Sequence, residues 1–270
     1  MKLVVRMGLT DRKNTSAVGE EYEKRLLEKQ QKLQEKTRSR LVLGIWGQPK
    51  TGKTGIALDF PERPIYVLDW DVGVESTWRE HHGATDRIII ENPIELREDN
   101  VIDIAKSEKN SHNFLRFVRS RIEGGENPVF VLDGVDSWLT ACLLKVNPDP
   151  TKVTKMMPWQ YGERNKAFNH LLNMILLLKC DVIFITHELE KYEDNSPVGM
   201  QPVWGKELGG KLEQEIHSYR KRIKGEIHYI AELVGSRTRG NLVGTRFTTR
   251  QGAPPNIVWN GIPELREGKI

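Results

Sequence analysis

Gly47-Gln48-Pro49-Lys50-Thr51-Gly52-Lys53-Thr54 directly follows Leu41-Val42-Leu43-Gly44-Ile45-Trp46 in this chain. The first stretch has the G-x-x-x-x-G-K-T spacing of a phosphate-binding loop. The second is a continuous apolar run that reads as a buried strand. Their order decides the fold, because such a loop works only between a strand and a helix. There the backbone N–H groups of the turn and of the helix N-terminus point at phosphate oxygens. Lys53 adds charge and the Thr54 hydroxyl can ligate Mg²⁺. Gly47, Gln48, Pro49, Lys50, Thr51, Gly52, Lys53 and Thr54 are therefore read as the nucleotide site, with ATP and Mg²⁺ as the expected ligands.

Outward from the loop, apolar β-branched runs alternate with helical segments. A short helix from Lys53 to about Phe60 stops at the Pro61–Pro64 pair. Strands follow at Ile65–Trp70 and Arg87–Ile90, a helix at Ser111–Ile122, and a strand at Val129–Asp133. The longest helix is read over Trp159–Lys179, leading into a strand at Asp181–Thr186. This alternation predicts an α/β fold in three layers, with a mostly parallel central sheet covered on both faces. Beyond Glu188 the character changes. Residues 190–211, rich in Gly, Pro and polar residues, read as a mobile loop. Glu226–Val234 and Asn241–Thr249 read as antiparallel strands at the C-terminal side. N-terminal to the core, Ala17 to about Arg38 reads as a charged helix with a narrow Tyr22, Leu26 and Leu33 stripe. The expected division is a charged helical arm over 1–40 and an ATPase domain over 41–270.

Length and composition agree with this reading. A chain of 270 residues suits one large α/β domain, and its net charge of +4 is too small to identify a nucleic-acid partner by itself. The two cysteines, Cys142 and Cys180, sit among leucines without metal or redox spacing. No apolar stretch is long enough to cross a bilayer, and the N-terminus carries no signal-peptide pattern, so the expected location is cytoplasmic.

A phosphate loop needs an acidic group on the far side of the metal, and Asp133, ending an apolar strand, has the form of a Walker B aspartate. Asp136 reads as the cap of the following helix. Hydrolysis also needs a group that orients water. Asp69 and Asp71 end the strand after the phosphate-loop helix, at the carboxyl edge, where ligands bind in open α/β sheets. Asp71 is assigned as the base and Asp69 to the metal shell or the turn.

The order of these pieces resembles the RecA-like P-loop ATPase core. The resemblance covers roughly residues 41–250 and is closest to the small RecA-like proteins of phages and archaeal mobile elements associated with single-strand annealing. It rests on the Pro49-Lys50 form of the loop, on Asp69-Trp70-Asp71, on Trp159, and on Thr186-His187-Glu188. In that family the second acid of the pair is usually glutamate; here it is the shorter Asp71. The resemblance implies that Thr186-His187 senses the γ-phosphate and that Lys50 contacts phosphate or a neighbouring subunit. It further implies a homo-oligomer, ring or filament, whose sites are shared between subunits. Ser236-Arg237-Thr238-Arg239-Gly240 would supply an arginine finger through Arg237 or Arg239.

Arg220-Lys221-Arg222, Lys224, Arg246 and Arg250 make the C-terminal third basic, and Lys206 and Lys211 flank Gly209-Gly210 beside Trp204. Cations with an aromatic and flexible glycines suit single-stranded DNA, through phosphate neutralisation and base stacking. The leading expectation is an ATPase acting on single-stranded DNA in recombination, annealing or replication. A motor or packaging ATPase, a nucleotide-dependent scaffold and a small-molecule P-loop kinase are the alternatives.

Overall fold

The computed structural model describes residues 17–34, 40–60, 62–148, 157–194, 196–251, 258–259 and 261–266. The chain divides into two units, residues 1–39 and 40–270. The first contains α1 (Ala17–Gln34), on which Tyr22, Leu26 and Leu27 are exposed. The expected extension of this helix over 35–38 lies outside the described residues.

The second unit alternates strand and helix through its first half. In order come β1 (Val42–Gly47), α2 (Lys53–Ala57), β2 (Ile65–Asp69), α3 (Val74–His82), β3 (Ile88–Glu91), α4 (Ile104–Glu123) and β4 (Val129–Asp133). Then follow α5 (Val135–Ala141), α6 (Pro158–Leu176), β5 (Asp181–Glu193), β6 (Ser196–Pro202) and α7 (Gly205–Gly209). The chain closes with β7 (Gln214–Ile223), β8 (Glu226–Ser236), β9 (Arg246–Gln251), β10 (Val258–Trp259) and α8 (Pro263–Arg266). Among the described residues the sheet runs β10-β9-β8-β7-β1-β5-β4-β2-β3. From β7 to β3 every neighbouring pair is parallel, and from β7 to β10 every pair is antiparallel.

Strand periodicity explains the three layers. Successive side chains point to opposite faces, so Leu43, Ile45, Ile65, Val67, Val131 and Ile183 pack with α2, α3 and α8. Their sequence neighbours Val42, Tyr66, Leu68, Phe130, Leu132 and Phe184 pack with α4, α5, α6 and α7. Burial of each such side chain stabilises by roughly 1.5–3 kcal/mol, and covering both faces is what lets these runs be apolar throughout. This is the three-layer α/β arrangement that the sequence predicts. Cys142 and Cys180 are free and buried, and burial pushes both thiols up to about 12.

Several elements differ from expectation. Helix α4 starts seven residues before Ser111, because Asp103 accepts a hydrogen bond from the Lys106 N–H and caps an earlier turn. Its buried Ser107 and Ser111 hydroxyls donate to the carbonyls of Asp103 and Ser107, so these two serines occupy the inner face with their hydroxyls paired. The loop expected over 190–211 is instead structured. Strand β5 continues to Glu193 and pairs with β6, and α7 follows. Pro197, Pro202 and Gly199 mislead the sequence reading here, but β6 pairs with β5 alone, and proline is tolerated on such an edge strand. Trp204, expected as an exposed stacking residue, is 4% exposed and lies over β1. A side chain on Gly44 would come within 2.5 Å of the Trp204 ring, so the glycine makes room for the indole. Residues Asn241 and Leu242 form a short 3-10 turn, and β9 begins at Arg246.

Candidate active site

The carboxyl edge of the parallel strands gathers the chemistry. Gly47 ends β1, and a Cβ there would collide with the Ser218 carbonyl oxygen on β7, which explains why only glycine fits. The Ser218 hydroxyl donates to the Thr51 carbonyl, tying β7 to the phosphate loop. Gln48, Pro49 and Lys50 are exposed, whereas Thr51 and Lys53 are buried. Lys50 has a left-handed backbone, with φ of 62°. The Lys53 ammonium donates to the carbonyls of Gly47 and Gln48 at 2.9 and 2.8 Å. Burial lowers its pKa, and the carboxylates of Asp133, Asp136, Asp71 and Glu188 oppose that shift.

Asp133 ends β4 beside the loop. The Thr54 hydroxyl donates to its Oδ2 at 2.8 Å, so the two residues that would hold Mg²⁺ already face each other. Burial first, and then the charge of Asp69, push the Asp133 carboxyl up to about 7. A buried carboxylate crowded by a second acid is a group that a dication would complete, so the residues fit the metal. Asp69 holds the turn after β2: its carboxylate accepts from the N–H groups of Asp71, Gly73 and Val74. Of the two roles weighed for it, the geometry displays the turn. The turn itself bends at Val72, a β-branched residue with φ of 55° that is exposed beside the cleft. Backbone strain of this kind gathers at functional sites.

Asp71 lines the cleft opposite Lys53, together with Gly73, Asp133, His187, Arg220, Tyr229 and Arg250. Its Oδ1 accepts from the Ser137 hydroxyl at 3.0 Å, and its Oδ2 lies 3.9 Å from His187 Nε2. The other face of that imidazole is held by Asp136, with Nδ1 to Oδ2 at 2.9 Å. Asp136 therefore does not cap α5. Gly134 occupies the cap position with φ of 85°, and a Cβ there would lie 2.8 Å from the Asp71 nitrogen. Freed from the cap, the Asp136 carboxylate points at the end of β5, accepting from Thr186 Oγ1 and from the His187 N–H. The bond to Asp136 raises the His187 pKa against the effect of burial. Burial pushes the Asp136 carboxyl up, but the hydrogen bond and charge of His187 prevail and hold it below the usual range.

Glu188, next along β5, reaches over the end of β1 to His217 Nε2 at 2.7 Å, and His217 stacks on Trp46 with ring centroids 4.0 Å apart. Arg237 and Arg239 are not near the phosphate loop of their own chain. Ser236 pairs with Gln214, which pairs with Leu43, so both arginines stand at the amino edge of the sheet. There the Arg237 guanidinium donates to the Gly210 carbonyl. The arginines that do line the cleft are Arg220 and Arg250, which the sequence reading gave to DNA. Register explains it: Arg220 on β7 faces Tyr229 on β8, and Tyr229 faces Arg250 on β9. Arg250 covers the Tyr229 ring at 4.2 Å and donates to its hydroxyl at 3.0 Å. Of the remaining cations expected on DNA, Arg246 is paired with Glu232 and Lys211 donates to Asn173. The sequence signal that could have found Asp136 was its place three residues after Asp133; the arginines needed the register.

Comparison with known proteins adds the lineage. No curated protein matches the sequence. Among solved structures, a KaiC-like protein from the archaeon Pyrococcus horikoshii aligns at 15% identity, covering 81% of this chain and 88% of that one, with a TM-score of 0.45. The RadB recombinase aligns at 14% identity over 77% of this chain and 87% of its own, with a TM-score of 0.44. An ATPase from a bacterial type III secretion system aligns at 13% identity over 66% and 50%, with a TM-score of 0.41. The family model described as AAA domain matches residues 39–238, which include the phosphate loop, Asp71, Asp133 and His187. By that match the chain belongs to the AAA domain family of P-loop ATPases.

Proposed function

We propose that the protein binds ATP at residues 47–54, hydrolyses it, and couples turnover to action on single-stranded DNA. One observation carries the catalytic part. Lys53, Thr54 and Asp133 line a cleft whose other wall is Asp71, backed by His187 and Asp136. Asp71 orients and deprotonates the attacking water. His187, oriented by Asp136, keeps a hydrogen-bond donor within reach of Asp71 and of the departing phosphate. Lys53, Arg220 and Arg250 supply positive charge where negative charge gathers. Phosphoryl transfer depends mainly on such positioning and charge stabilisation. When bound by Thr54 and Asp133, Mg²⁺ would neutralise charge on the phosphate oxygens.

The DNA part rests on Lys221, Arg222 and Lys224, exposed toward the outer end of the β7–β8 hairpin, and on the RecA-like resemblance. In the same reading the protein is a homo-oligomer. Arg237 or Arg239, distant from the loop of its own chain, would serve the loop of a neighbour.

Lys53→Ala should abolish ATP binding and turnover. Asp71→Asn should keep nucleotide binding while kcat falls by about 10²–10⁴. Full turnover in Asp71→Asn would remove the base assignment. Single-stranded DNA should stimulate the ATPase, with stimulation declining steeply as salt rises. No stimulation at low salt would refute the DNA part.

A further inference from the structure

Beside the nucleotide cleft lies a second cavity of about 750 Å³. It occupies the face covered by α5 and α6. Trp70, Ile102 and Leu144 contribute to its apolar walls, Asp71 and Asp136 with Ser137 give it an acidic end, and Asn100, Asn147 and Gln160 add neutral amides to the lining. Asp71 borders both spaces, so its carboxylate is part of the partition between them. The volume falls within the range of small-ligand pockets, roughly 300–1,000 Å³.

The walls are built by local structure. Leu96 and Ile102 form an antiparallel bridge, closed by hydrogen bonds from the Arg97 N–H to the Val101 carbonyl and from the Asp103 N–H to the Glu95 carbonyl. Trp70 is braced by Trp138, with ring centroids 4.7 Å apart. A cavity with preformed apolar walls binds an apolar body at little reorganisation cost.

The polar end fixes the sign of the ligand. Asp136 is committed to His187 at 2.9 Å, whereas among the described residues the Asp71 carboxylate accepts from the neutral Ser137 hydroxyl, with the imidazole 3.9 Å away. An anion entering the cavity would meet this carboxylate, and an ammonium or hydroxyl would satisfy its second oxygen. Nucleotides and the DNA backbone are thereby disfavoured here.

We propose that this cavity binds a small organic molecule with an apolar ring-sized body and an amine or hydroxyl donor directed at Asp71. The site needs only the charge and position of Asp71, and stands whether or not that residue acts on water.

The test uses tryptamine, tryptophol and indole-3-acetate as probes on the full chain, with binding followed by saturation-transfer NMR and calorimetry. Tryptamine should bind, tryptophol more weakly, and indole-3-acetate about tenfold or more below tryptamine, as a partly solvated like charge requires. Leu144→Trp, which fills the cavity, should abolish tryptamine binding and leave binding of a fluorescent ATP analogue unchanged. If that variant loses nucleotide binding as well, Thr140→Trp fills the rim instead. Asp71→Asn should bring the amine and acid affinities together. Lys53→Ala should lose ATP and keep tryptamine, which separates failure of the nucleotide site from failure of this one. Absence of binding by all three probes, equal binding of amine and acid, or unchanged binding in both filled variants would overturn the proposal.

Discussion

At the scale of single residues, the site turns on one aspartate that changes its apparent job between sequence and structure. The sequence reads Asp136 as a helix cap, yet Gly134 takes that position in a left-handed turn after β4 and leaves the carboxylate free to hold His187. A hydrogen bond to a charged group contributes about 1.5–3 kcal/mol. If only part of that orients His187 in the transition state, Asp136→Asn should lower kcat by roughly 10-fold to 100-fold. Its KM for ATP should change little, because Asp136 is absent from the lining of the phosphate cleft. Steady-state kinetics beside a thermal melt would separate this from a loss of fold; unchanged kcat would reduce Asp136 to a structural role. Lys53, Thr54 and Asp133 were legible because loop spacing and a strand-terminal acid are local patterns. Arg220 and Arg250 were not, since thirty residues separate them and only the β7–β8–β9 register brings them to one cleft.

At the scale of elements, β5 is the strand that leaves the sheet. Its first six residues are buried between β1 and β4, and its remainder runs on as a hairpin with β6. Thr186 and His187 lie at the crossing point, where the buried part of the strand passes into the hairpin. The hairpin carries Glu190, Lys191, Glu193 and Asp194, an acidic rather than basic surface, and so is poorly suited to a phosphate backbone. The return path ends in Trp204 and α7, which close the core over Gly44. Trp204→Ala should cost about 3–5 kcal/mol, the usual range for removing a large buried aromatic. Denaturant titration would read that loss; a cost below 1 kcal/mol would show that α7 is not part of the cooperative core. Helix α3 and strand β7 escaped the sequence reading. Within α3 only Val74 is fully buried, and in β7 the buried Gln214, Ile216 and Ser218 include a single apolar residue and alternate with half-buried Glu215, His217 and Tyr219, so no apolar period shows in the sequence.

For the whole molecule, stability depends on two cores separated by one sheet, and the core against α2 and α3 carries a titratable group. Burial is the main cause that lowers His82 from 6.5 to about 4, with Arg87 adding to the shift. The unfolded chain takes up this proton below about pH 6.5 while the folded chain resists until about pH 4. His82 therefore leaves stability intact above pH 6.5 and withdraws it as the pH falls toward 4. Asp133, raised to about 7, gains stability as the pH falls through the same window, so thermal melts read His82 as a difference. The Tm of His82→Gln minus that of the unmodified chain should increase as the pH falls from 7 to 4.5; a constant difference would exclude His82 as a source of pH dependence. Local pattern by itself determined the phosphate loop, the apolar strands and the three-layer class, because spacing and apolar runs are properties of neighbouring residues. Tertiary structure alone decided that Trp204 is core, that Asp136 serves His187, and that Arg237 and Arg239 face away while Arg220 and Arg250 face in. Those outcomes depend on which strands become neighbours and in what register, which long-range packing sets and no short stretch of the chain encodes.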